Sequence, residues 1–426
     1  MATAGAHENL DALAGPVILG LTSLRKFESK RGGLKMARVE EKIHKLKYPG
    51  AIDADGHILE SVKCWEEYCE AKYRANAVRM KQDKDGLEYL EINGVPSRVN
   101  RGGNFGAVAQ MGQVTREKGE FDPRIKYGER LPLGAADAKE RVERLDLEGL
   151  DAAIIYPSLE LTWETECDDV DYAQAMCRAY NRWVTDWCTD SGGRLIPVAH
   201  LSLGDPKAAA DELERAVKAG HKGGWVVQFT MNRKPHAHTD NDVLFAKAQE
   251  LDVPLGLHVS LEPQWCWPGR YDKEYVRKQH WFLNVTASDA IRHALASFMQ
   301  YGTFDKFPKL KIVILEVGAG WIQYWLDRMD AVYDSVMGRG VPLKEKPSFY
   351  FGRNVWVSAD PDEKSLPAMV DLCGSGRFFW ATDFPHPDHT GNYIEELEKF
   401  GDKIADPQRR RDVLGDNVRR VYGLSV

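Results

Sequence analysis

Nowhere in the 426 residues does an apolar run approach the roughly 18–20 residues that cross a bilayer. The patch Gly15–Leu21 is too short, and no lysine or arginine precedes it, so it fails as a signal peptide too. Cysteine is sparse: seven residues, an odd number, with no C-x-x-C spacing, which speaks against a disulfide framework and against a zinc knuckle. Charge of one sign is also missing. The 57 Lys+Arg and 64 Asp+Glu leave a net charge of −7, and no sustained basic block offers a face for nucleic acid. With 43% hydrophobic and 28% charged residues, the chain has the composition of an ordinary globular protein. The expectation is a soluble, reduced, cytoplasmic protein with a small-molecule partner, no nucleic acid and no membrane.

What is present is an alternation. Short β-branched or apolar runs recur at Ala51–Ile58, Ala152–Tyr156, Leu195–Leu201, Gly224–Phe229, Pro254–Val259, Ile312–Glu316, Val355–Ala359 and Phe378–Thr382. Amphipathic helical segments separate most of them: Ala138–Leu150, Val170–Thr189, Pro206–Lys218, Asp242–Leu251, Ser288–Tyr301, Gly320–Val336 and Glu363–Leu372, with Pro407–Val421 closing the chain. Eight such β–α units predict an α/β protein built as a (β/α)₈ (TIM) barrel over residues 49–426. Residues 1–48 read as an N-terminal arm, with one helix over Ala37–Leu46, packed on the body or on a second subunit; a homodimer is expected. The stretch Glu60–Ala135 is too long for a plain connection and holds a hairpin with an Asn93-Gly94 turn. An insertion after the first strand lies at the catalytic end of a barrel, so 60–135 is predicted to cap the mouth.

Ionisable residues fall where such a barrel does chemistry. Asp53, Asp55 and His57 alternate along the first strand, so period-two geometry points all three the same way. His258 ends the fifth strand, Glu316 the sixth and Asp383 the eighth. Carboxylates and imidazoles gathered in an apolar mouth are costly unless paired or bound to a metal, which makes a shared divalent-metal site the economical reading.

These residues resemble the amidohydrolase superfamily, in the amidohydrolase 2 branch that includes aminocarboxymuconate-semialdehyde decarboxylase-like enzymes. The likeness spans roughly residues 50–423. Its most specific parts are IDADGHILE (Ile52–Glu60), FDKFPKLKIVILEVGAGWIQYWLDRMD (Phe304–Asp330) and FWATDFPHPD (Phe379–Asp388). The resemblance implies a metal held by Asp55 (in place of the first histidine of the usual H-x-H), His57, His258 and Asp383. Glu316 stands where many members carry a histidine base. That oxygen-rich set favours Mn²⁺ or Fe²⁺, with Zn²⁺ accommodated, and leaves room for a second ion with Glu316 or Glu60 as ligand, hence one or two ions per chain.

The branch includes hydrolases and decarboxylases. The extra carboxylates tilt the reading to a hydrolase, with activated water attacking an ester, thioester or amide of a small cyclic or aromatic molecule and Asp383 and Glu316 handling protons. The alternative is a non-oxidative decarboxylase of an aromatic or unsaturated acid, and a metal-free binding barrel is the remaining rival. His200, Trp265, Trp267, Arg270, Trp321 and His386 are the expected substrate contacts. Trp321 also fits a helical packing face with Tyr324 and Trp325. His236-Ala-His238 reads as a solvated loop, His389 as exposed, and Cys266 as a packing residue.

Overall fold

The computed structural model describes residues 41–113, 122–263, 265–266, 280–286 and 288–426. Twelve strands occur among them: β1 (Ile52–Ile58), β2 (Arg79–Gln82), β3 (Glu88–Ile92), β4 (Val95–Arg101), β5 (Ala152–Pro157), β6 (Leu195–Pro197), β7 (Ala199–His200), β8 (Gly224–Val227), β9 (Pro254–His258), β10 (Lys311–Ile314), β11 (Val355–Ala359) and β12 (Phe378–Trp380). β2, β3 and β4 form an antiparallel sheet of their own, and the other nine segments pair in parallel as β1-β5-β6 and β7-β8-β9-β10-β11-β12. β6 and β7 are the two halves of the predicted third strand, parted at Val198 after Pro197, which has no N–H for the ladder. That leaves eight staves. The ring closes through two backbone bonds, Asp383 N–H to Asp55 O (2.9 Å) and His57 N–H to Phe384 O (2.8 Å). The seam of the (β/α)₈ barrel therefore runs through the residues that carry its chemistry.

The helices lie where the spacing predicts, with ends set by local chemistry. Asp205 caps Pro206–Lys218 by accepting from the Lys207 and Ala208 amides. Asp137 caps Ala138–Glu148, which stops at Gly149 in the left-handed region, φ 73°. Ile52, Ala54, Ile154, Tyr156, Val198, Trp225, Val313 and Phe379 are among the side chains that fill the barrel interior.

One feature of β1 departs from simple alternation. In its ladder with β5, Asp53↔Ala153 is followed by Gly56↔Ile155, so β1 advances three residues while β5 advances two. This bulge flips the face. Ile52 and Ala54 point into the barrel before it, and His57 points inward after it, 6.1 Å from the Tyr156 ring. Asp53 stays on the other face, where its carboxylate accepts from Thr382 N (2.9 Å) and Oγ1 (2.6 Å). The expectation that Asp53 joins Asp55 and His57 is thus corrected. Gly56 is glycine for the same reason, since a Cβ there would sit 2.6 Å from Asp53 Oδ2.

The hairpin is present, with Asn93 (φ 50°) and Gly94 (φ 76°) both left-handed as its two-residue turn demands; the third cap strand, β2, carries no alternation that predicts it. The insertion reaches the mouth through Met111 N–H, which donates to Pro385 O at 3.2 Å. The predicted helix over Ala37–Leu46 is not found in its described part: residues 41–46 form no helix. There Leu46 N–H donates to Glu148 O at 2.9 Å, and Glu41 pairs with Arg144 at 3.1 Å. A backbone carbonyl and a side chain of the body, and not a helix of its own, hold this segment. Among the described residues, no helix is long and apolar enough to cross a membrane.

Candidate metal centre

At the C-terminal end of the barrel four buried side chains gather around His57, in two overlapping groups of possible ligands, Asp55–His57–His258 and His57–Asp383–His386. His57 Nε2 lies 2.8 Å from Asp383 Oδ1 and 3.3 Å from Asp55 Oδ1, and His258 Nε2 lies 3.4 Å from Asp55 Oδ1. Two ligands about 2.1 Å from one ion and at right angles stand about 3 Å apart, so these separations suit a shared divalent cation. The bulge supplies Asp55 and His57, the end of β9 supplies His258, and the loop after β12 supplies Asp383.

Hydrogen bonding sets the tautomers. His57 Nδ1 faces Pro157 O, and His258 Nδ1 donates to Val259 O at 2.6 Å. Each ring then presents an Nε2 lone pair to the cage, the arrangement metal-bound histidines use. His57 Nε2 and Asp383 Oδ1 are both buried and form no hydrogen bond. Two lone pairs facing each other at 2.8 Å repel unless a proton or a metal ion lies between them. The titration tendencies agree. Burial pushes the Asp55 and Asp383 carboxyls up, yet the neighbouring imidazoles outweigh it and hold both below the ordinary range. Burial lowers the affinity of His57 and His258 for protons, and Asp383 and Asp55 reverse that. The residues present fit a divalent ion.

Around the cage stands a second layer. His386 joins Asp383 Oδ2 (3.2 Å) to Ser158 Oγ (2.9 Å). His389, expected to be exposed, is instead drawn in. Its Nε2 lies 3.0 Å from Asp383 Oδ2 and 3.8 Å from Glu316 Oε1, and its Nδ1 lies 3.1 Å from Asp360 Oδ1. Three carboxylates around one imidazole overcome the cost of burying it and raise its proton affinity. Glu316 Oε2 reaches the Nδ1 side of His258 at 3.6 Å, not the Nε2 side that faces the cage. It is therefore a neighbour of the first ion site and not one of its ligands. Burial and the charge on Asp383 push its carboxyl up. Glu316 (φ 56°) and Asp383 (φ 53°) both hold left-handed backbones, a strain that the surrounding contacts sustain.

Other predicted residues land elsewhere. Glu60 is no metal ligand: its carboxylate accepts the backbone amides of Ser158 (2.9 Å), Leu159 (3.0 Å) and Glu160 (2.9 Å) and the Tyr127 hydroxyl (3.2 Å), four donors that occupy its lone pairs. His200 is fully buried, with Nδ1 2.8 Å from Glu160 and Nε2 3.0 Å from Glu164, and stacks on Trp225 at 4.0 Å; both nitrogens are taken, so it has none left for substrate. Trp321 gives its N–H to the carbonyls of Val317 (3.1 Å) and Gly318 (3.0 Å) and packs on the core, as a helical packing face requires. His236 is buried rather than solvated, bonding Val227 O at 2.9 Å. Trp265 is partly exposed on the loop after β9. Trp267 and Arg270 lie outside the described residues. Sequence reasoning missed His389 and Asp360 as site residues; the only signal was their spacing just past two strand ends.

Two nitrogen and two oxygen donors converging at the C-terminal end of a closed (β/α)₈ barrel define a metal-dependent barrel enzyme. Residues 155–424 match the family model described as amidohydrolase, and the chain belongs to that family, in its amidohydrolase 2 branch. The gamma-resorcylate decarboxylase of Polaromonas sp. is 27% identical over 301 residues, which cover 67% of this chain and 87% of that protein. Among solved structures, an amidohydrolase from Mycobacterium avium subsp. paratuberculosis K-10 superposes with a TM-score of 0.71 at 20% identity, covering 89% of this chain and 99% of that one. The 5-carboxyvanillate decarboxylase of Novosphingobium aromaticivorans, complexed with manganese and 4-hydroxy-3-methoxy-5-nitrobenzoic acid, superposes with a TM-score of 0.62 at 20% identity, covering 88% of this chain and 96% of that one.

Proposed function

We propose that this enzyme is a metal-dependent, non-oxidative decarboxylase of a hydroxylated aromatic carboxylic acid. The observation that carries the reading is the buried cluster of Asp55, His57, His258 and Asp383, linked through His57 and Asp55, in a chain whose relatives include gamma-resorcylate decarboxylase. The carboxylates at the mouth tilt the sequence toward hydrolysis; the decarboxylases among its relatives tilt it back to the carboxy-lyase. A divalent ion in the cage, manganese by analogy with the Novosphingobium enzyme, would supply a Lewis-acid anchor for the substrate carboxylate and its neighbouring oxygen.

The remaining chemistry belongs to the chain's own residues. Decarboxylation breaks the bond between the ring carbon and the carboxyl carbon, and the electron pair left on the ring takes a proton. His389 holds that proton at Nε2. Asp360 fixes the ring through Nδ1 at 3.1 Å, and Asp383 and Glu316 keep the imidazole protonated. His386, bridged between Asp383 and Ser158, holds Asp383 so that Oδ1 faces the cage. Carbon dioxide leaves without any attacking water, and the cap segment that bonds Pro385 screens the site from solvent.

The test is a panel of 2,6-dihydroxybenzoate, other hydroxybenzoates and aryl esters and amides, offered to manganese-loaded enzyme with product arene and CO₂ followed together. Equal amounts of arene and CO₂ from a hydroxybenzoate support the reading. Ester or amide cleavage with no CO₂ from any acid overturns it in favour of the hydrolase.

A further inference from the structure

Asp383 is the cage residue that comes from a loop and not from a strand, and both of its chain neighbours are tied across the barrel seam. Before it, the Thr382 N–H (2.9 Å) and Oγ1 (2.6 Å) donate to the two carboxylate oxygens of Asp53. Thr382 Oγ1 also accepts the Phe384 N–H at 2.9 Å, so one hydroxyl joins the residues on either side of Asp383. After it, the Phe384 ring lies under two guanidiniums of the helix Ala138–Glu148, Arg141 at 4.5 Å and Arg144 at 3.8 Å. Arg144 is held by Glu148 at 2.7 Å. Arg141 reaches further, and its Nη2 donates to the backbone carbonyl of His57.

Asp53, Thr382 and Arg141 are each only 2% exposed. A buried guanidinium is costly, and an apolar side chain would fill the same space at less expense. What an apolar side chain could not do is hold the His57 carbonyl. Asp383 also keeps a left-handed backbone at φ 53°, a conformation that a residue with a Cβ holds only where its surroundings enforce it. The bonds to Asp53 on one side and the stack beneath Arg141 on the other supply that enforcement.

We infer that Asp53, Thr382 and Arg141 are positioning residues. They hold Asp383 opposite Asp55 and His57 before an ion arrives, and so set the affinity of the cage for a divalent cation. None of the three offers the ion an atom, since both Asp53 oxygens are taken by Thr382. The inference rests on the cage as a metal centre and not on the reaction that follows.

The test is calorimetric titration of the chelator-stripped full chain with manganese, beside urea denaturation of the same metal-free proteins. Thr382→Val keeps the shape and removes the hydroxyl, and is expected to weaken manganese at least about tenfold; Thr382→Ser, which keeps the hydroxyl, stays within about twofold. Arg141→Met is expected to weaken manganese by about 10- to 100-fold, and Arg141→Lys, which keeps a donor, recovers part of that loss. If Arg141→Met does not fold, the Thr382 pair decides alone. A purely structural role lowers the urea midpoint and leaves the manganese affinity of the folded protein as it was; that result in Thr382→Val overturns the inference. Equal losses in Thr382→Val and Thr382→Ser overturn it too. An unaltered chain that takes up no manganese fails the cage and the inference with it, whereas the absence of CO₂ from every aromatic acid fails the decarboxylase reading alone.

Discussion

His57 Nε2 and Asp383 Oδ1 face each other at 2.8 Å inside the barrel mouth, both buried and neither hydrogen-bonded. They come from the first strand and from the loop after the last, the two elements whose backbones close the barrel. A metal held by these two residues would therefore tie the seam together as well as the site.

Chelation is therefore expected to lower thermal stability. An ion present at 100 to 1,000 times its dissociation constant contributes about 3–4 kcal/mol to the folded state. Scanning calorimetry of the metal-loaded chain against the EDTA-treated chain checks this; identical melting temperatures contradict it.

Glu60 serves the backbone and not the metal. Glu60→Ala leaves the Ser158, Leu159 and Glu160 amides without their acceptor and is expected to cost about 3 kcal/mol in urea denaturation. Metal content per chain stays unchanged in the folded variant. Loss of metal with unchanged stability reverses the assignment.

His389 and Asp360 divide their work between proton donation and orientation. His389→Gln is expected to lower kcat by about 10²–10⁴ with little change in KM, and Asp360→Asn by a smaller factor. Folding and metal content remain normal in both. A His389→Gln enzyme with unaltered kcat removes this histidine from the reaction.

Away from the mouth, His221 sets an acid limit on stability. Burial, with Arg215 adding to it, lowers its pKa to about 4, below the roughly 6.5 of an unfolded chain. Between those values the unfolded state binds the extra proton, so this contribution is complete above pH about 6.5 and is lost as pH falls toward 4, by up to about 3 kcal/mol. His221→Gln is expected to flatten the fall in urea midpoint between pH 7 and 4.5; an equal fall in both proteins contradicts it.

The barrel was legible because its signals are local and periodic. The eight runs and their helices follow from alternation and caps such as Asp205 and Asp137, and His57, His258 and Asp383 declare themselves by standing at strand ends. What stayed hidden is non-local. The bulge that turns Asp53 away has no mark in IDADGH, because it depends on how β1 registers against β5. Glu60 resembles a ligand until the amides of a loop about a hundred residues away are seen to take it. His389 reads as a loop residue until Asp360, from a different strand end, holds it in the site.

The central claim is that Asp55, His57, His258 and Asp383 hold one ion. The most direct measurement is manganese content by plasma mass spectrometry after metal loading and gel filtration, for the unaltered chain and for folded His57→Ala and Asp383→Asn variants. The account predicts close to one ion per chain in the first and close to none in the variants. Full occupancy in both variants, or an unaltered chain that binds none, contradicts it.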